Sequence, residues 1–328
     1  MSLICFDLEG PLATQDNAYE LMKLFPEGGR IFEFISRYDD LVTLSARPDY
    51  EPGDTLALIV PFLVYHGIKE HDISALARKA TLTPGSAKLI SRLSAQGWKI
   101  FCISTSYEQY ARRVAHRVGI FSQHVASTSF PLDKFRQALS REDLHILETL
   151  EKEILSKNTP DDDWIKKRFD RFYWRELPKT GFGRLVQQVK PVGGQRKVEA
   201  LKRFAQAQKQ PLSNWVAVGD SITDFKMLQS VDQAGGLAVA FNANEYALPY
   251  ATIGLASTHL DDLKPILEAW SKGKRPAVEK LVREKERIGG NDNRDYFHWL
   301  SGIETIEAPL QVHKRIRRVV REEAANLG

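Results

Sequence analysis

Residues 3–10 read Leu-Ile-Cys-Phe-Asp-Leu-Glu-Gly, and the meaning of that stretch decides the fold. Four consecutive apolar residues, Leu3 to Phe6, suit a short strand buried on both faces, and Gly10 with Pro11 ends it in a tight loop. Strands of this kind occur in parallel sheets covered by helices. Asp7 and Glu9 then lie at a carboxyl-terminal strand edge, where open α/β sheets bind their ligands.

The rest of the chain repeats the pattern. KIFCI (99–103) precedes the helical YEQYARRVAHRVG, and WVAV (215–218) precedes TDFKMLQSV. LAVAF (237–241) precedes NEYALPYA, and ATIGLA (251–256) precedes HLDDLKPILEAW. Alternating strands and helices predict an α/β, Rossmann-like parallel sheet with helices on both faces. The core is expected to be residues 1–14, 84–128 and 190–270. Residues 15–83 carry helical patterns without a convincing strand and are expected to form a helical cap. Residues 129–189, polar and aromatic, are expected to be a second insertion built from a charged helix and a hairpin. From 271 to 328 the chain reads as a helical basic tail. VHKRIRRVVREEAANL places Val312, Ile316, Val319 or Val320 and Ala324 on one stripe that would dock on the core and leave a basic face in solvent.

With 328 residues, 43% hydrophobic and 27% charged, the composition is that of a globular protein large enough for several modules. No apolar run approaches the roughly 20 residues needed to span a bilayer, and the amino terminus has no secretory pattern. A cytoplasmic protein without a membrane partner is expected. The net charge of +4 is too small to imply a nucleic-acid partner, which only the basic tail suggests, through RNA end processing. Cys5 and Cys102 fall in expected strands and suit reduced core thiols.

Three further stretches follow strands as the first does. CISTSYEQY places Ser104, Thr105 and Ser106 at a strand end, GGQRKVEAL places Lys197 at a helix start, and VAVGDSITDFKML places Asp220, Ser221 and Asp224 in a turn before a helix. Parallel strands bring these groups to one edge. Asp7, Glu9, Asp220 and Asp224 would repel one another there without a counter-ion. Mg2+ is the expected cofactor, a hard cation that takes one or two carboxylates and completes its shell with water and phosphate oxygens. A phosphate ester is then the natural substrate. Asp7 is the candidate nucleophile, Glu9 the general acid and base, and Lys197 the cation that neutralises both Asp7 and the phosphate. Ser104, with Thr105 and nearby amides, would hold phosphoryl oxygens.

FDLEGPL, CISTS, Lys197 and VAVGDSITDFKML resemble, in order, the four motifs of the haloacid dehalogenase superfamily, most closely its phosphoserine phosphatase branch. The resemblance implies a metal site of Asp7, the Glu9 backbone carbonyl and Asp220, with Asp224 behind it. It also implies that Asp16 and Arg47 face the substrate from the cap. Glu9 stands where most of these phosphatases have aspartate, a change shared with the bifunctional homoserine phosphotransferases, and Thr223 stands where the phosphoserine branch commonly has asparagine. A longer part of the opening, DLEGPLATQDNAYELM with ISRYDDL and PGDTLALIVPFL, is similar to a group of energy-converting hydrogenase A accessory subunits. The expected function is Mg2+-dependent hydrolysis of a small phosphorylated metabolite. Phosphotransfer to an alcohol, or an accessory or regulatory subunit without catalysis, are the alternatives. A protein partner or a second copy is compatible with either.

Overall fold

The computed structural model describes residues 2–45, 47–288 and 295–321. Strand β1 (Leu3–Phe6) leads into four helices, α1 (Asn17–Met22), α2 (Gly28–Leu44), α3 (Thr55–Tyr65) and α4 (Glu70–Lys79). The chain continues through α5 (Ser86–Ala95), β2 (Lys99–Tyr107), α6 (Glu108–Arg117) and β3 (Val125–Thr128). Four more helices follow, α7 (Leu132–Ala138), α8 (Arg141–Leu155), α9 (Asp162–Arg171) and α10 (Gly181–Val186). Then come α11 (Gln195–Gln208), β4 (Trp215–Gly219), α12 (Phe225–Gln233), β5 (Leu237–Phe241) and β6 (Ile253–Ser257). The last elements are α13 (Lys264–Ile288), β7 (Asp295–Trp299) and α14 (Glu307–Arg321).

The seven strands form one sheet in the order β3-β2-β1-β4-β5-β6-β7, parallel except for β7. It is the Rossmann-like α/β sheet read from the sequence. β1 shows why a continuous apolar run is needed: Ile4 and Phe6 pack in one layer, Leu3 and Cys5 in the other, and all four are fully buried. Helices α5, α6 and α13 cover the first face and α11 and α12 the second. Chain order reverses between β1 and β4, and such a switch point leaves a crevice at the carboxyl ends of those two strands.

Two expectations are corrected. Residues 129–189 contain no hairpin among the described residues. Ile165, Phe169, Phe172 and Tyr173 recur at helical spacing, so α9 runs on into a single π-helical turn, Phe172–Glu176. These side chains pack against α2 and α3: Trp174 donates to the Tyr38 hydroxyl at 2.6 Å, and Tyr173 donates to the Leu58 carbonyl at 2.7 Å. Phe169 and Phe172 are fully buried, which stabilises the contact by roughly 1.5–3 kcal/mol each.

The tail is not wholly helical either. Asp-Tyr-Phe-His-Trp pairs with β6 as an antiparallel edge strand, Leu255 opposite Phe297 and Ile253 opposite Trp299. Its period-2 alternation buries Phe297 and Trp299. On α14 the expected apolar stripe is only half-buried, and Val319 is 64% exposed. The buried positions are Pro309, His313 and Arg317, while Ala324 lies outside the described residues. Among the described residues no helix is long and apolar enough to cross a membrane. Cys5 and Cys102 are buried free thiols.

Candidate active site

β1 and β4 pair in register, Phe6 beside Val218, and the Asp7 amide donates to the Val218 carbonyl at 2.8 Å. Asp7 and Asp220 therefore leave adjacent strands side by side. Asp224, four residues beyond Asp220, returns to the same point because its Oδ2 accepts the Asp220 and Ser221 amides at 3.0 and 3.1 Å. Gly219 makes this turn possible, since a Cβ there would stand 2.6 Å from the Asp224 side chain. Gly10 has φ +97°, and a Cβ on it would stand 2.4 Å from Asp220 Cγ. The loop after β1 thus rests directly on the Asp220 carboxylate.

Lys197, in the first turn of α11 and fully buried, bridges two of the three acids, with Nζ 2.7 Å from Asp7 Oδ1 and 2.7 Å from Asp224 Oδ1. Burial alone would discharge this ammonium, but Asp224 and Asp7 outweigh that and hold its pKa above the usual lysine value. Burial and the neighbouring Asp224 push Asp7 well above the ordinary carboxylate range, against the pull of Lys197. One carboxylate oxygen from each of Asp7, Asp220 and Asp224 lies within 4.8 Å of the others, all from buried residues. Such a hard, all-oxygen donor set at a site of excess negative charge fits Mg2+.

Glu9 is placed differently from these three. Its Oε1 accepts the Ser106 hydroxyl and, at 3.3 Å, the Asn17 amide, so the carboxyl is turned toward β2 and the start of α1. In the Ser104–Ser106 run the β2–β3 register slips. Ser104 is fully buried and its hydroxyl accepts the Ser106 amide at 3.0 Å. Thr105 is the residue of that run that lines the cavity. Ser106 holds the Glu9 carboxyl, a role that a serine at a strand end does not announce.

A cavity of about 610 Å³ opens above these groups between the sheet edge and α1–α3, lined by Asp7, Glu9 and Thr105 and by residues from both sides. α2 contributes Glu33, Asp39 and Asp40, so the far wall is acidic. Arg37 also lines it but is held at its rim by Asp162, with Nε and Nη2 at 2.7 and 2.6 Å from the carboxylate oxygens. Burial raises Asp39 to about 7. The loop at Pro52 and Gly53 lies tight against β2 and the turn before α11, for a Cβ on Gly193 would meet the Pro52 carbonyl at 1.9 Å and one on Gly53 would meet Thr105 at 2.6 Å.

The two expected substrate contacts separate. Asp16 lines this cavity while capping α1, accepting the Tyr19 amide at 3.0 Å. Arg47 does not reach it. Its guanidinium lies 3.8 Å from the Trp174 ring centroid, and it lines a different cavity of about 370 Å³. A half-buried arginine beside a large aromatic face stacks on it, a contact that nothing local in the sequence encodes. The structure also adds a residue from outside the four motifs. Arg317 of α14 donates from Nη1 to the Asp220 carboxylate. A His-x3-Arg spacing on a helix was its only trace in the sequence, hidden among Lys314, Arg315 and Arg318.

No family model matches the chain. Among solved structures, the gene product AF1437 from Archaeoglobus fulgidus is similar over 100% of this chain and 99% of its own, with 29% identity and a TM-score of 0.86. An apo phosphoserine phosphatase matches 80% of this chain and 98% of its own at 16% identity and a TM-score of 0.51. A phospho-aspartyl intermediate analogue of phosphoserine phosphatase matches 80% and 97% at 16% identity and a TM-score of 0.52. The chain therefore shares the Rossmann-like fold of these phosphoserine phosphatases.

Proposed function

We propose that the protein is a phosphomonoesterase of the phosphoserine phosphatase type that works through an aspartyl-phosphate on Asp7. The observation that carries this reading is Lys197, buried without exposure and shared at 2.7 Å between Asp7 and Asp224 beside Asp220. A structural core gains nothing from three adjacent buried carboxylates, whereas phosphoryl transfer uses all of them.

An Asp7 carboxylate oxygen attacks phosphorus, the P–O bond to the alcohol breaks, and the Glu9 carboxyl gives its proton to the departing oxygen. Glu9 then takes a proton from water, whose oxygen attacks phosphorus. The Asp7–phosphate bond breaks, which releases inorganic phosphate and restores the carboxylate. Ser106 and the Asn17 amide orient Glu9 for both transfers, and Thr105 faces the phosphoryl group. Asp7, Asp220 and the Glu9 carbonyl, with Asp224 behind them, would hold Mg2+, which supplies charge stabilisation to the phosphoryl oxygens. In this reading residues 15–83 form the cap that excludes water, and residues 129–189 buttress it. The acidic wall of α2 favours phosphoesters with a cationic end.

The test is phosphate release by the purified chain with Mg2+, measured against a panel of small phosphomonoesters and para-nitrophenyl phosphate. Activity removed by EDTA, and lost by about 1,000-fold or more in Asp7→Asn, is expected for a nucleophile. Absence of release with every ester sinks hydrolysis. Consumption of ester only when an alcohol is added assigns phosphotransfer instead.

A further inference from the structure

Helix α14 reaches the catalytic edge with two buried side chains one turn apart, His313 and Arg317. His313 sits where β6 has no side chain, for a Cβ on Gly254 would stand 2.7 Å from its Nε2. Its Nδ1 accepts the Ala243 amide at 2.9 Å, and burial keeps the ring neutral by pushing its pKa down to about 3. This seat fixes the register that delivers Arg317. Nη1 of Arg317 donates to the Asp220 carboxylate, to the Asp220 carbonyl at 3.3 Å and to the Asn242 carbonyl at 3.2 Å. Asn242 follows β5, so the guanidinium meets Asp220 from the β5 side, opposite Asp7 and β1.

We propose that Arg317 is a built-in counter-cation of the metal site and sets its affinity for the divalent ion, an inference that rests on the phosphatase reading above. Asp7, Asp220 and Asp224 bring three carboxyl groups together, and Lys197 and Arg317 set two cations against them. Arg317 thus reduces the excess of acidic groups that draws a cation to the site. Arg317 cannot discharge, and it shares the carboxylate that the ion needs. An ion arriving alone meets a like charge in a poorly screened setting, whereas one arriving with a phosphate dianion does not. Ion and phosphate therefore bind better together than apart, and tight docking of α14 opposes the ion.

The test is calorimetric titration of the full chain with Mg2+, alone and with beryllium fluoride as phosphoryl mimic, using wild type, Arg317→Gln, Arg317→Lys and, as site control, Asp220→Asn. Arg317→Gln is expected to bind Mg2+ about tenfold tighter than wild type, with the difference shrinking when beryllium fluoride is present. Arg317→Lys keeps the charge and stays within about threefold of wild type. Equal or weaker binding by Arg317→Gln overturns the proposal, because the guanidinium then only holds Asp220 in place. Should that variant not fold, hydrogen exchange on wild type decides: Mg2+ is expected to speed exchange in residues 307–321, and unchanged or slower exchange overturns the proposal. Wild type that binds Mg2+ under neither condition removes the phosphatase reading and this inference together. Binding that Asp220→Asn abolishes and Arg317→Gln leaves unchanged removes this inference alone.

Discussion

Replacing Lys197 by methionine keeps the volume of the side chain and removes its charge. Nζ lies 2.7 Å from both Asp7 and Asp224. At that distance and an effective dielectric of about 20, each pair attracts by roughly 6 kcal/mol before the cost of desolvation is counted. Most of that gross attraction is cancelled on burial, and breaking a buried pair costs about 3–5 kcal/mol because the remaining charge has no compensation. The sign of the pH dependence follows from the carboxylates. Lys197 is held above its usual value, so what it contributes is constant below a pH of about 10. Once it is gone, Asp7 loses the partner that pulls its pKa down, and its folded value rises further above that of the unfolded chain. The folded state then binds more protons between the two values, so stability falls as pH rises through that window. Urea unfolding without divalent ions should show Lys197→Met less stable than wild type by about 3–5 kcal/mol at pH 8, with a clearly smaller deficit at pH 5. A deficit equal at both pH values, or none at pH 8, refutes the description of Lys197 as the counter-ion of this cluster.

Gly10→Ala should shift the Asp220 carboxylate, since the new Cβ would stand 2.4 Å from Cγ and φ there is +97°. A displacement of about 1 Å at such a group typically costs about 100-fold in kcat/KM, and Mg2+ titration on the same variant should show weakened binding; an unaltered enzyme would mean that the loop after β1 moves freely. Arg47→Ala should leave kcat/KM within about twofold of wild type and lower stability by about 0.5–1 kcal/mol through loss of the stacking on Trp174. A tenfold fall in kcat/KM in that variant would place Arg47 in the path of the substrate.

The elements that could be read from sequence are those whose signal is local. β1, β4, β5 and β6 are short apolar runs buried on both faces, and Asp7 and Asp220 fall just past the ends of β1 and β4 by simple counting. The same counting placed Asp7, Asp220, Asp224 and Lys197 at one edge, since parallel strands deliver their carboxyl ends together. The elements missed depend on partners distant in the chain. DYFHW has the alternation of a strand, but it lies in a tail that otherwise reads as charged helix, and its partner β6 is distant in the chain. Arg47 is expected at the site from the family resemblance, yet Trp174, far along the chain in the π-helical turn after α9, draws the guanidinium to another cavity.

Arg317 marks the physical limit of such reading. Lys314, Arg315, Arg317 and Arg318 are interchangeable in any measure of charge or helical propensity, yet one is 5% exposed against Asp220 while Arg315 and Arg318 face solvent. What separates them is a register set by His313 against Gly254 and the Ala243 amide, three positions on three elements. The expected amphipathic helix with a solvated basic face was therefore right about charge and incomplete about contact. Burying a guanidinium without an acceptor is costly enough that its buried position itself requires a carboxylate nearby. In this molecule that carboxylate is Asp220, which is why an arginine 97 residues further along the chain becomes part of the same electrostatic unit.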